Sequence, residues 1–278
     1  MLDRTAIVSI VEAALREDSP NGDLTSLVFV PATATATADL VAREAGVFSG
    51  AEVFEVAMTA IDPSADVKIF FAEGDRFEAG DVLASVSGSA RAILRCERIA
   101  LNLVQRMCAI AALTAQYVEA AGPGVRVVDT RKTTPGLRAI ERHAVRCGGG
   151  FNHRFSLSDA VMAKDNHLAL VEDLTAAIKA ARAELPHTTH LEVEVDRIDQ
   201  IEPVLAGGVD TIMLDNFSLA DLSEGVRIVG DRALVEASGG VNLDTIGEIA
   251  KTGVDIISVG ALTHSVRSLD LGLDLRIS

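Results

Sequence analysis

Ile7, Val8, Ile10, Val11, Ala14 and Leu15 recur with the period of one helix face, so IVSIVEAALRED predicts a helix that Pro20, Asn21 and Gly22 end. ADLVAREAGVFSG follows as a strand candidate closing on glycine. In VKIFFAEGDRFEAGDVLASVSG two Gly-Asp turns separate β-branched and aromatic residues, which predicts hairpins. From Arg91 to Ala121 the apolar residues return to helical spacing, as one helix or two. Beyond that point the rhythm becomes strand, helix, strand. VRVVDT (125–130), HLEVEV (190–195), TIMLDN (211–216), ALVEASGG (233–240) and IISVGAL (256–262) are short β-rich runs with helical spacers between them. Such alternation requires parallel strands. The expected fold is a C-terminal α/β barrel of TIM type, closed or open and with eight strands or fewer, behind an N-terminal α+β sandwich domain.

At 278 residues and 49% hydrophobic composition the chain can bury the core of one barrel and a smaller domain. A net charge of −15 and a pI near 4.8 oppose general binding to nucleic acid or to an anionic membrane, so any anion must be bound locally. Cys96, Cys108 and Cys147 are odd in number and lack CxxC spacing, which predicts reduced thiols in a cytoplasmic protein, with neither a zinc site nor a disulfide framework expected. Asp3, Arg4 and Glu12 interrupt any signal-peptide core, and no apolar run is expected to reach the roughly 18 residues of a membrane span. The six histidines show no ligand spacing, so a metal is expected to be held by oxygen.

The predicted strands end in polar or glycine residues: Thr130 with Arg131, Glu194, Asp215, Ser238 with Gly239, and Gly260. One such residue is ordinarily turn chemistry, but five on the C-terminal rim of a barrel converge on one mouth. Ser238, Gly239, Gly240, Gly260 and Ala261 supply either tight turns or backbone N–H groups for a phosphate. Glu194 and Asp215 suit Mg²⁺, ribose hydroxyls or a cationic sugar centre, or else salt bridges to nearby cations. Between Arg126 and Lys164 stand eight Arg or Lys against three acids, an unexpected gathering in an acidic chain. Arg131, Lys132, Arg138, His153, Arg154 and Lys164 are spaced too irregularly for one helix stripe, and Pro135, Gly136 and Gly148 to Gly150 force turns that fold them inward. A polyanionic ligand is implied. The hairpin stretch also has the look of a lipoyl-type carrier, but Lys68, the only lysine before Lys132, lies inside a strand pattern and not at a hairpin tip.

DTRKTTPGLR, GGGFNHR, KDNH, EVEV, MLDN, EASGG and TGVDIISVGALTHS, in this order and spacing, resemble quinolinate phosphoribosyltransferase, and EDSPNGDLTS, AREAGVFSG and ERIALNL extend the resemblance over essentially the whole chain. The resemblance implies synthesis of nicotinate mononucleotide from quinolinate and phosphoribosyl pyrophosphate with Mg²⁺, releasing CO₂ and pyrophosphate. It implies an N-terminal capping domain (1–109), a barrel domain (110–264) and a tail (265–278) packing back on the first, in a homodimer or higher even oligomer. Carried onto matching positions, Arg131, His153 and Arg154 would hold the two quinolinate carboxylates, and Arg98 would reach that pocket from the neighbouring subunit. Lys132 and Lys164 would face quinolinate or pyrophosphate, Thr130 would lie beside them, and Glu194 and Asp215 would serve ribose and Mg²⁺. Ser238, Gly239, Gly240, Gly260 and Ala261 would take the 5′-phosphate. A paralogue of molybdenum-transport loci and a non-catalytic phosphosugar or anion sensor are the alternatives; the intact GGGFNHR and KDNH favour quinolinate. Cys108 to Ala112 replace the family's usual Ser-Gly-Ile-Ala-Thr run, Ser156 stands where Gly is common, and Ala163 replaces a larger aliphatic residue. None of these departures touches a charged position.

Overall fold

The computed structural model describes residues 2–276. Its strands are β1 (Thr35–Ala42), β2 (Gly46–Val47), β3 (Asp66–Ile69), β4 (Arg76–Phe77), β5 (Val82–Ser89), β6 (Arg126–Val128), β7 (Val161–Ala163), β8 (Leu191–Val195), β9 (Thr211–Asp215), β10 (Leu234–Ser238), β11 (Ile256–Ser258) and β12 (Leu271–Arg276). The first five helices are α1 (Arg4–Asp18), α2 (Leu24–Phe29), α3 (Ala51–Thr59), α4 (Ala90–Ala121) and α5 (Arg138–Cys147). Two compact units form. One takes the chain up to Ala115, the segment Thr133–Gly149 and the chain from Leu262 on; the other takes Gln116–Lys132 and Gly150–Ala261.

The first unit is built on an antiparallel sheet in the order β12-β1-β5-β3. Strict alternation in β1 buries Ala36, Ala38, Leu40 and Ala42 on one face. α1, capped by Asp3, buries Ile7, Val11 and Leu15 along one stripe, the inner part of the face that its periodicity marks. Phe71 stands edge-on to both Phe48 and Phe77, with centroids 6.5 and 6.4 Å apart. The C-terminal β12 pairs antiparallel with β1, Leu273 opposite Leu40. The Gly-Asp turns form, with Asp75 and Asp81 accepting from the backbone N–H of Ala72 and Glu78. They do not make simple hairpins, however: β4 pairs with β2, whereas β5 pairs with β1 and β3. Turn chemistry fixes the local bend and leaves the choice of partner to packing.

α4 is a single helix of 32 residues. Against expectation it has the length and apolarity of a membrane span, but 61% of its 18-residue apolar window is buried within the protein. Arg106, which interrupts the run, is neutralised inside the first unit: its guanidinium reaches Glu141 Oε1 at 2.7 Å, Thr134 Oγ1 at 2.9 Å and the Thr263 carbonyl at 2.8 Å. Glu141 is fully buried. It lies on α5, which carries Arg138, Arg142 and Arg146 at four-residue spacing, so part of the cationic segment is a regular helix after all and Arg138 turns to Thr133. α5 ends against α4, where a side chain at Gly148 would meet the Ala111 carbonyl at 2.3 Å. Small, buried Ala111 on α4 suits that approach.

The second unit is a six-stranded parallel sheet in the order β6-β11-β10-β9-β8-β7, with Phe151 bridging to Val128 beside β6. Five of the strands lie within the β-rich runs of the sequence; β7 does not, being three residues long. Val193, Val195, Ile212, Leu214, Val235, Ala237 and Ile257 are buried on one parity of the strands. The opposite parity is markedly more polar: Lys164 just past β7, Glu192 and Glu194 on β8, Asp215 on β9, Glu236 and Ser238 on β10, and Ser258 on β11. Side chains two residues apart share a face, so these groups collect on one side of the sheet toward the strands' C-terminal ends.

Candidate active site

That parity builds a cavity of about 330 Å³ in the second unit. Its strand-borne lining is Met162, Met213, Glu236, Ser238 and Ser258, and the segments that follow strands or connect them add Thr130, Arg131, Lys132, His153, Arg154 and Lys164. Seven residues singled out in the sequence therefore meet here: Thr130, Arg131, Lys132, His153, Arg154, Lys164 and Ser238. Buried Asp129, next to the lining residue Thr130, accepts from Asn152 Nδ2 at 2.6 Å and from the His153 backbone N–H at 2.8 Å. That pair of bonds converts the GGGFNHR turn into a fixed platform for His153 and Arg154.

The cavity is cationic on its walls. Arg154 donates to the Ala160 carbonyl at 2.9 Å, and its pKa is lowered by burial and next by the like charge of Arg131. Half-buried Arg154 and exposed Arg131 thus bring two like charges close together on this wall.

Beneath them lies an acidic trio. His153 Nε2 stands 3.2 Å from Glu192 Oε2 and 3.5 Å from Glu236 Oε2, while Nδ1 accepts from the Arg154 N–H at 2.7 Å. Burial opposes charge on the ring, but the hydrogen bonds to Glu192 and Glu236 and their charges outweigh it and lift His153 to about 10. Burial, countered by His153, raises Glu192. The accepting Nδ1 leaves the ring its one ordinary proton on Nε2, so the extra proton that the two acids hold in this trio is shared among Nε2 and the carboxylates. Both ring nitrogens thus face protein atoms. In this geometry His153 orients the Arg154 loop through Nδ1. One oxygen of each acid, Oε1, is buried without a hydrogen-bond partner.

Glu194 and Asp215 do not line this cavity. They line an adjoining recess of about 580 Å³ with Asp165, Asp196 and Asn216. Lys164 joins the two spaces, since it lines the first and its ammonium contacts Glu194. Both acids are half-buried. Asp215 accepts from Asn216 Nδ2 at 2.7 Å. Asn216 itself adopts a left-handed backbone (φ 57°) and presses on Gly239, where a Cβ would sit 2.2 Å from its Oδ1. Gly239 is thus required by this close approach, whatever its part toward phosphate. Gly240 is exposed, Gly260 and Ala261 are half-exposed, and Ala261 begins a four-residue helix. Arg98 is an exposed residue of α4 in the first unit.

Sequence reading missed Met162, Glu192, Met213, Glu236 and Ser258. Each lies two residues before a position that it did mark: Lys164, Glu194, Asp215, Ser238 and Gly260. A period-two step back from every strand end would have found the inner layer.

The sequence matches the N-terminal domain of quinolinate phosphoribosyl transferase over residues 23–108 and the C-terminal domain over residues 110–274. The nicotinate-nucleotide pyrophosphorylase [carboxylating] of Mycobacterium leprae is 42% identical over 272 residues, which cover 95% of this chain and 95% of that protein. A probable enzyme of the same name from Bacillus subtilis is 39% identical over 94% of this chain and 91% of its own length. The crystal structure of NadC from Streptococcus pyogenes superposes with a TM-score of 0.96 at 41% identity, covering 100% of this chain and 99% of that one. Human nicotinic acid phosphoribosyltransferase, 13% identical at a TM-score of 0.58, shares the fold alone. With both domains matched in order and close relatives covered almost end to end, the chain belongs to the quinolinate phosphoribosyl transferase family.

Proposed function

We propose that this chain is a carboxylating nicotinate-nucleotide pyrophosphorylase, converting quinolinate and phosphoribosyl pyrophosphate to nicotinate mononucleotide, CO₂ and pyrophosphate in de novo NAD synthesis. The observation that carries the reading is the cavity in which Arg131 and Arg154 repel each other beside Lys132 and Lys164. Its size suits a small aromatic ring, and its charge suits a dicarboxylate. Arg131 and Arg154 would grip the carboxylates, with His153 holding the Arg154 loop. Lys132 and Lys164 would face the departing pyrophosphate, and Ser238, Gly239, Gly240, Gly260 and Ala261 would hold the 5′-phosphate.

Two tasks follow. The pyridine nitrogen attacks the anomeric carbon as pyrophosphate leaves, through an oxocarbenium-like state, so Glu194 and Asp215 lower the barrier by facing the developing positive charge. The alkylated nitrogen then draws the electron pair of the adjacent C–CO₂⁻ bond into the ring, CO₂ departs and a proton takes its place. For that second step the protein has mainly to exclude water from the carboxylate. The recess bearing Glu194, Asp215, Asp165 and Asp196 offers hard oxygen donors that fit Mg²⁺. When bound, the ion would offset pyrophosphate charge, and Lys164 at Glu194 favours an ion brought in largely by substrate. Arg98 would act from a neighbouring subunit in a homodimer. Three free thiols support a reducing, cytoplasmic setting.

The test is incubation with quinolinate, phosphoribosyl pyrophosphate and Mg²⁺, following CO₂ and nicotinate mononucleotide, with nicotinate as the control. Nicotinate has one carboxylate and leaves a guanidinium without its partner, so it is expected to be a very poor substrate, by about 10² or more. Comparable turnover of the two would defeat the assignment.

A further inference from the structure

Cys147 Sγ, His143 Nε2 and Glu73 Oε2 converge in the first unit, apart from the residues of the proposed reaction. Their separations are 3.1 Å for sulfur to oxygen, 3.4 Å for sulfur to nitrogen and 3.3 Å for nitrogen to oxygen. Hydrogen bonds also hold this triangle, the thiol donating to the carboxylate and the imidazole N–H reaching carboxylate or sulfur according to its tautomer. Around tetrahedral zinc, with bonds of about 2.3 Å to sulfur and about 2.0–2.2 Å to nitrogen and oxygen, the same three atoms would stand roughly 3.4–3.6 Å apart. The three edges lie within about half an ångström of that arrangement.

The surroundings are those of a built site. Backbone N–H groups of Gly50 and Ala51 fix the Glu73 carboxylate at 2.8 to 3.1 Å. Ser49, completely buried, stands beside Cys147, where its hydroxyl favours the thiolate. On the outer side His143 and Glu73 are 24% and 31% exposed, which leaves an entry path for an ion. A nucleophilic triad is the rival use of such a group. Burial holds the Cys147 thiol up at about 12, however, so it is no ready nucleophile, whereas a coordinated metal deprotonates a thiol outright.

We propose that Cys147, His143 and Glu73 bind a zinc-class divalent cation, with Ser49 as hydrogen-bond donor to the metal-bound sulfur and water in the open position. A site of sulfur, nitrogen and oxygen departs from the expectation that any metal here is held by oxygen alone. The ion would tie α5 to the turn that bears Glu73 and, through Glu73, to the start of α3.

The experiment uses the whole protein, fully reduced and metal-free, in excess magnesium to fill carboxylate sites. Cobalt(II) is titrated in as a spectroscopic reporter and then displaced with zinc. The expected result is one equivalent bound, with a near-ultraviolet thiolate-to-cobalt band that zinc abolishes. Cys147→Ser should lose the band, and His143→Ala should weaken binding at least about tenfold. Binding without the band, a band that persists in Cys147→Ser, or equal affinity in His143→Ala overturns the proposal, as does failure to saturate at micromolar zinc. If Cys147→Ser does not fold, judged by its circular dichroism, the half-exposed His143→Ala decides alone.

Discussion

His153 is held between a backbone N–H and two buried acids, and the charge of that trio gives a measurable pH dependence. Its pKa in the folded protein, about 10, exceeds the ordinary 6.5, so folding is linked to proton uptake. The resulting stability is fully present below about pH 6.5 and is lost as the pH rises toward 10. Glu236→Gln removes one of the two charges and brings the ring back toward its ordinary value. Between pH 7 and 10 the wild type should therefore lose several degrees of melting temperature more than the variant does; parallel curves would rule out the shared proton. Asp215 separates chemistry from stability. Asp215→Asn keeps the shape and removes charge that the transition state needs, so turnover should fall by about 10² or more with quinolinate affinity held. An unstable Asp215→Asn protein with normal activity in its folded fraction would make Asp215 a structural counter-ion instead.

α5 is attached to α4 by one buried ion pair and one close contact, Arg106 with Glu141 and Gly148 against Ala111. Glu141→Ala leaves a largely buried guanidinium without its carboxylate, a loss of about 3–5 kcal/mol. The melting temperature should drop by roughly 6–20 °C, and a change of less than about 2 °C would show that water replaces the carboxylate. Replacing both partners by apolar residues should recover much of the loss. This pairing could not be read in the sequence, because Arg106 and Glu141 are ordinary charged residues of two separate helical patterns, 35 positions apart. The same limit explains the first unit's small sheets: Gly74 and Gly80 announce turns, but nothing local says that β4 joins β2. The parallel strands were far more legible, since long apolar runs with polar ends leave one architecture. β7 was the exception, three residues whose only chemical mark, Lys164, lies just beyond it. The rim residues were visible as breaks in apolar runs, whereas Glu192 and Glu236, enclosed within those runs, register only once the two-residue period of a strand is applied.

For the whole molecule the open question of assembly has a direct test. If Arg98 serves a neighbouring subunit, Arg98→Ala and Arg154→Ala proteins, each nearly inactive, should regain activity when mixed and allowed to exchange, up to one intact site in each hybrid dimer. No recovery, with exchange verified by mass, would confine Arg98 to its own subunit. The path of the chain carries a further consequence. It leaves the second unit after Lys132, spends residues 133–149 in the first, and returns at Gly150. A gene fragment opening at residue 110, where the C-terminal family domain begins, encodes Glu141 but omits Arg106. Such a fragment would inherit an acid chosen for a cation it lacks, and its cavity cations would flank an excursion with nowhere to dock. The border of the family domain is therefore no place to cut. In exchanges between relatives, crossovers that carry Arg106 together with Glu141 are the ones expected to yield folded chimaeras.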